Sequence, residues 1–130
     1  MTTLRGPFEV TMDSEAPFHD RDGVVLNRNT VRKTFSGPVT GTSEAQMIAA
    51  RTPDPASAGY VAIELFTGTM DGKQGSFVMQ HNGIVTVGEP ELSVVIIPGS
   101  GTGELTGITG TLEIDNIDGD HSYTFDYELP

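Results

Sequence analysis

The chain is 130 residues long, enough for one domain with one core, and its 7 Lys plus Arg against 18 Asp plus Glu give a formal charge of -11. That balance repels a phosphate backbone and argues against nucleic acid as a partner. The absence of cysteine excludes disulfides and thiolate zinc sites, and 16 Gly with 8 Pro favour short strands separated by frequent turns.

The opening segment MTTLRGPFEV lacks the apolar stretch of a secretory signal, and no later run has the length of a membrane-spanning helix. The expectation is a cytoplasmic, soluble chain with no membrane partner. Phe8, Val10 and Met12 alternate with Glu9 and Thr11, the period of a half-buried strand. The charged run His19-Asp20-Arg21-Asp22-Gly23 reads as a loop. A second strand is predicted from about Val25 to Phe35, with Val31 and Phe35 on its core face, and Gly37-Pro38 ends it. A third spans about Gly41 to Arg51, although its Ala-rich centre, Gln46 to Ala50, also fits a helix. Two prolines make Thr52 to Ser57 an exposed loop.

Two hairpins carry the register. Gly59 to Thr69 and Gln74 to Gly83 flank Asp71-Gly72, a preferred centre for a two-residue type I′ turn. Pairing Met70 with Lys73 then sets Phe66 opposite Phe77, Glu64 opposite Met79 and Ala62 opposite His81, all on one face. Val61, Ile63, Leu65, Val78 and Gln80 take the other face. Before the second hairpin, Leu92 to Ile97 is an apolar run broken only by Ser93 that reads as a strand buried on both sides, followed by the glycine-rich stretch Pro98 to Gly110. The second hairpin turns at Asp118-Gly119 and pairs Asn116 with His121, Ile114 with Tyr123 and Leu112 with Phe125. Its reverse face, with Thr111, Glu113, Asp115, Ser122, Thr124 and Asp126, is polar, as in a sheet wet on one side.

About eight strands and no crossover helix point to a single all-β domain over residues 1–130. The expected fold is a closed antiparallel β-barrel, because closure removes exposed edges. Such a barrel holds packed side chains or one small ligand.

Gly68 to Gly83 (GTMDGKQGSFVMQHNG) and Pro98 to Leu105 (PGSGTGEL), with Gly6-Pro7-Phe8-Glu9-Val10 and Lys33 to Gly37, resemble a bacterial family catalogued as domain of unknown function 3224. The likeness covers nearly the whole chain. More remotely, Gly101-Thr102-Gly103 with Gly107 and Gly110 looks like the glycine pattern of allene oxide cyclase and dirigent proteins. That resemblance implies an eight-stranded barrel, oligomers, and ligands bound inside without a metal or organic cofactor. No catalytic residue of the cyclases can be placed on this chain. Members of the first family often carry an aromatic residue, frequently Trp, where this chain has Val94 or a neighbour, and a smaller side chain there would reshape a cavity.

His81 is the foremost candidate for chemistry, since an imidazole can both give and take a proton near neutral pH. Glu64 shares its face within reach and would orient or charge the ring. Phe66, Phe77, Met79 and Val94 would line the apolar part of a pocket, joined by Asn116, Tyr123 and Phe125 from the last hairpin. His81 and Glu64 also fit a purely structural buried pair, and a face that points outward. We place the aromatic face inside and the aliphatic reverse between subunits of a homo-oligomer.

The glycine-rich run has neither the Gly-Lys-Ser/Thr ending nor the helix of a nucleotide-binding loop, so tight turns closing one barrel mouth explain it better. Asp115, Asp118 and Asp120, and separately His19, Asp20 and Asp22, lack the spacing of a calcium loop, and no metal is expected. The leading functional expectation is a small-molecule-binding barrel, acting on an apolar substrate as a cofactor-independent isomerase or cyclase with His81 and Glu64 as the acid/base pair. The alternatives are a binding or storage protein for an apolar ligand, and a barrel filled by its own side chains.

Overall fold

Four two-residue reversals set the strand pairing: Asp22-Gly23, Asp71-Gly72, Val87-Gly88 and Asp118-Gly119 all have positive φ at both positions. Turns of this kind twist in the same sense as the strands they join, so each closes an antiparallel hairpin. In the computed structural model, which describes residues 1–130, the elements in chain order are β1 (Thr2–Ser14), β2 (His19–Arg21), β3 (Val24–Phe35), β4 (Val39–Arg51), β5 (Ala58–Met70), β6 (Lys73–Thr86), β7 (Glu89–Ile96), a short 3-10 turn (Gly103–Leu105), β8 (Thr109–Ile117) and β9 (Asp120–Glu128).

Neighbouring strands follow the order β1-β9-β8-β7-β6-β5-β4-β3-β2, and β1 pairs with β3 as well as with β9. That additional pairing closes eight strands into an all-β antiparallel barrel and leaves β2 outside it, on the edge of β3. Both expected registers hold: Phe66 faces Phe77 and Ala62 faces His81 across β5 and β6, while Asn116 faces His121 and Leu112 faces Phe125 across β8 and β9.

Two expectations are corrected, and the strand expected over Gly41 to Arg51 holds against its helical alternative. His19 to Arg21 is a strand rather than a loop, because Asp22-Gly23 folds it back onto Val24 to Leu26. Gln46 to Ala50 is extended throughout, held by β3 on one side and β5 on the other, so pairing overrides the helix propensity of alanine. The apolar run Leu92 to Ile97 is buried on one side only: Val94 and Ile96 point inward, whereas Val95 is 42% exposed on the outer wall.

The interior is divided along the barrel axis. One half is packed solid by Phe35, Phe66, Phe77, Tyr123 and Phe125 with Val39, Met70, Met79 and Ile96. Ring centroids lie 5.0–6.3 Å apart in tilted and edge-on arrangements. The glycine-rich segment closes this end. Its backbone runs along β6 past the end of β7, with Thr102 N donating to Ser76 O at 2.8 Å, and it drops Leu105 and Ile108 into the core. Gly75 permits that approach, since a Cβ there would lie 2.1 Å from Thr102 O. The amide groups of Ser100, Thr102, Leu105, Thr106 and Ile108 all donate to protein carbonyls, so the segment serves as a plug rather than as an anion cradle.

The wall is uneven. β7 and β8 share a single residue pair, Val95 with Thr111. Continuing that register would set Glu91 opposite Asp115, two like charges face to face, and the strands diverge instead. The outer surface of the central strands carries exposed Ile48, Val61, Ile63, Leu65 and Val95.

Candidate functional site

Alternation along β5 points Tyr60, Ala62, Glu64 and Phe66 into the barrel, and the same parity brings in Phe77, Met79 and His81 from β6, Ser43 and Ala45 from β4, and Val31, Lys33 and Phe35 from β3. Above the aromatic half, the interior therefore turns polar at one level. Glu64 is its centre and is fully buried.

Each carboxylate oxygen has a donor. Lys33 Nζ donates to Glu64 Oε1 at 3.0 Å, and His81 Nε2 meets the same oxygen at 2.6 Å. Ser43 Oγ donates to Oε2 at 2.5 Å. Burial is the strongest influence on Glu64 and by itself opposes ionisation. The hydrogen bond from His81, the Lys33 charge and the hydrogen bond from Ser43 together outweigh it and hold the carboxyl down at about 2. Glu64 is thus a carboxylate at neutral pH.

The hydroxyl of Tyr60 lies 3.2 Å from His81 Nδ1. Burial, reinforced by the Glu64 charge, pushes this phenol up to about 12, so it keeps its proton. Glu64 selects the imidazole tautomer with hydrogen on Nε2, and Nδ1 accepts from Tyr60. The result is an unbroken hydroxyl–imidazole–carboxylate chain. Gly83, directly across from Tyr60, makes room for it: a Cβ at Gly83 would lie 2.4 Å from the tyrosine ring.

These groups edge a cavity of about 200 Å³ whose remaining wall is chiefly Val10, Val31, Ala45, Met47, Ala62, Leu92 and Ile114, with His121 at one side. A second chamber of about 270 Å³ at the barrel mouth shares Met47, Tyr60 and Leu92 with the first. The largest depression, about 740 Å³, lies against β1 and the β8–β9 turn; it is lined mostly by polar and main-chain groups and contains no buried titratable side chain.

Of the residues singled out from the sequence, His81 and Glu64 come together at the cavity. Phe66, Phe77, Met79, Val94, Tyr123 and Phe125 do face inward, but they pack against one another in the closed half and do not line it. Tyr123 is spent on structure, donating to Ser36 O at 2.6 Å and accepting from Val39 N at 3.1 Å. Asn116 is exposed and accepts from Gly119 N in the last turn. Sequence reasoning missed Tyr60, Lys33 and Ser43. The signal for Lys33 was present, since the parity that turns Val31 and Phe35 inward turns Lys33 inward too.

A family model described as protein of unknown function (DUF3224) matches residues 4–127. The chain belongs to the DUF3224 family. A crystal structure of a DUF3224 protein of unknown function from Shewanella oneidensis MR-1 is similar to this chain at 42% identity, with 100% of this chain and 98% of that chain covered and a TM-score of 0.95. No curated protein matches the chain. No helix of this DUF3224 barrel is long and apolar enough to cross a membrane.

Proposed function

We propose that the open half of the barrel binds a small apolar molecule and presents to it the Tyr60–His81–Glu64 proton relay. The observation that carries this reading is the hydroxyl–imidazole–carboxylate chain, with links of 3.2 and 2.6 Å, at the wall of a largely apolar cavity. The carboxylate stabilises the imidazolium that forms when Nδ1 takes the tyrosine proton, and the tyrosine oxygen then takes a proton from the ligand. This is the logic by which a buried carboxylate and imidazole activate a hydroxyl in acyl transfer, applied to proton transfer. It suits isomerisation or cyclisation, which needs shape, desolvation and one or two proton-transfer groups but no organic cofactor or metal.

A second reading, binding or storage of the same apolar ligand without turnover, is favoured by one observation. Every buried polar atom of the cluster already has a partner, as befits a passive floor.

One experiment addresses both. Ala62 lines the cavity and is buried opposite His81, so Ala62→Leu should fill the space beside the relay. Small molecules extracted from purified protein and identified by mass spectrometry are expected in wild type and lost in Ala62→Leu. Indistinguishable extracts would refute cavity binding. When the recovered compound is returned to the protein, a rearranged product that His81→Ala fails to form supports catalysis, whereas an unchanged compound supports storage.

A further inference from the structure

Lys33 is 7% exposed and lines the cavity, yet Glu64 Oε1 is its one protein acceptor. An ammonium carries three N–H donors. The Phe8 ring, 5.3 Å from Nζ, gives it a cation–π contact on another side. Donors remain for which the surrounding wall of Val10, Val31, Ala45 and Met47 offers nothing. These donors face the cavity, where an acceptor on a bound molecule can reach them.

We propose that Lys33 is a ligand-binding residue that donates a hydrogen bond to a carbonyl oxygen of the molecule in the cavity, so that the ligand is a neutral ketone or ester with an apolar body. This rests on the cavity-binding reading above and deepens it. A ligand oxygen in the cavity would meet a donor that Val10, Val31, Ala45 and Met47 around Lys33 cannot. It belongs to a neutral group because Glu64 already balances the Lys33 charge, and a chain of net charge -11 has no surplus of positive charge with which to hold an anion.

The placement also explains what the relay acts on. Lys33 and His81 meet on the same oxygen of Glu64, so a carbonyl bound to Lys33 lies beside the Tyr60–His81 chain. The Tyr60 oxygen takes a proton from the carbon next to the carbonyl as its own hydroxyl proton passes to His81 Nδ1. The C–H electron pair becomes the new C=C bond, and the carbonyl π pair moves onto oxygen. Lys33 stabilises the resulting enolate. Where the ligand carries a β,γ double bond, that π pair takes up the proton returned through Tyr60 at the γ-carbon as the carbonyl re-forms, and the double bond shifts into conjugation with no other reactant.

The test uses acetophenone and ethylbenzene, which have similar shapes and differ in the carbonyl oxygen, with benzoate as the anionic control. Affinities are measured by saturation-transfer NMR on wild type, Lys33→Met, and the double variant Lys33→Met with Glu64→Gln, which leaves no unpaired buried charge. Wild type is expected to bind acetophenone at least about tenfold more tightly than ethylbenzene, the range of a hydrogen bond to a charged group. Both variants are expected to lose that preference while still binding ethylbenzene. Should neither variant fold, the carbonyl stretch of acetophenone bound to wild type decides instead. A shift to lower frequency than in hexane supports the proposal, and an unshifted band overturns it. Equal affinity of wild type for the two neutral probes overturns the role of Lys33 and leaves cavity binding standing. Tighter binding of benzoate overturns the neutral class. Failure of all three probes to bind removes the cavity reading itself, and this inference with it.

Discussion

Glu64 shows how a buried charge is kept in place by its neighbours. Lys33, His81 and Ser43 all donate to it, and the cluster is complete only with the carboxylate ionised. Replacing it by glutamine leaves the Lys33 ammonium buried without its counter-charge, so Glu64→Gln should lose roughly 3–5 kcal/mol of unfolding free energy in urea titrations. The pH dependence follows from the same bonds. The carboxyl lies at about 2 in the folded state and near 4.5 when unfolded, so its contribution is complete above pH 4.5 and disappears as pH falls towards 2. Acid titration by circular dichroism should therefore bring wild type and Glu64→Gln together over that interval, and a constant gap between them would contradict the assignment. His81 and Glu64 were legible as a pair because one Asp-Gly turn fixes their register. Lys33 and Tyr60 were harder to see, since a lysine or tyrosine in an alternating strand is ordinarily taken for an amphipathic residue reaching water.

At the scale of elements, legibility followed turn chemistry where long alternating strands flank the turn; Asp22-Gly23 gave no such reading because β2 has only three residues. Asp71-Gly72 and Asp118-Gly119 announced their hairpins, because aspartate and glycine tolerate positive φ. Val87-Gly88 makes the same kind of turn between β6 and β7, but a β-branched residue at φ 52° gives no such signal. That position is strained, and Val87 is exposed. Val87→Asn should raise the urea midpoint by an amount corresponding to roughly 1 kcal/mol, with no change in ligand binding. Parity along each strand also told which side chains enter the barrel. It could not tell how deep they lie, because depth depends on which end the glycine-rich plug fills. Phe66, Phe77 and Phe125 were thus correctly turned inward and wrongly assigned to a pocket.

For the molecule as a whole, the outer face of β4 to β7 is exposed and largely apolar. Ile48, Val61, Ile63 and Leu65 form adjacent rows with Gln46, Gln80 and Asn82 between them, and the charge beside Leu65, Glu44, is paired with Arg32. A second copy placed on this face by a two-fold axis would bury these rows without opposing like charges. Light scattering at micromolar concentration is expected to give a multiple of the 13.8 kDa chain mass. Val61→Lys should return the protein to the chain mass with its fold unchanged, and a wild-type particle that is already monomeric would count against the association.

The wall itself also bears on how a molecule reaches the interior. Along most of the barrel, parting two strands means breaking a long ladder, but β7 and β8 are joined at one rung. The two lips of this slit contribute Leu92 and Ile114 directly to the cavity lining. If the cavity takes a guest as proposed, the guest can enter sideways by spreading the lips, with the plugged end and the remaining ladders undisturbed. Traffic through the barrel would then depend on how far this slit opens rather than on the plugged end or the long ladders.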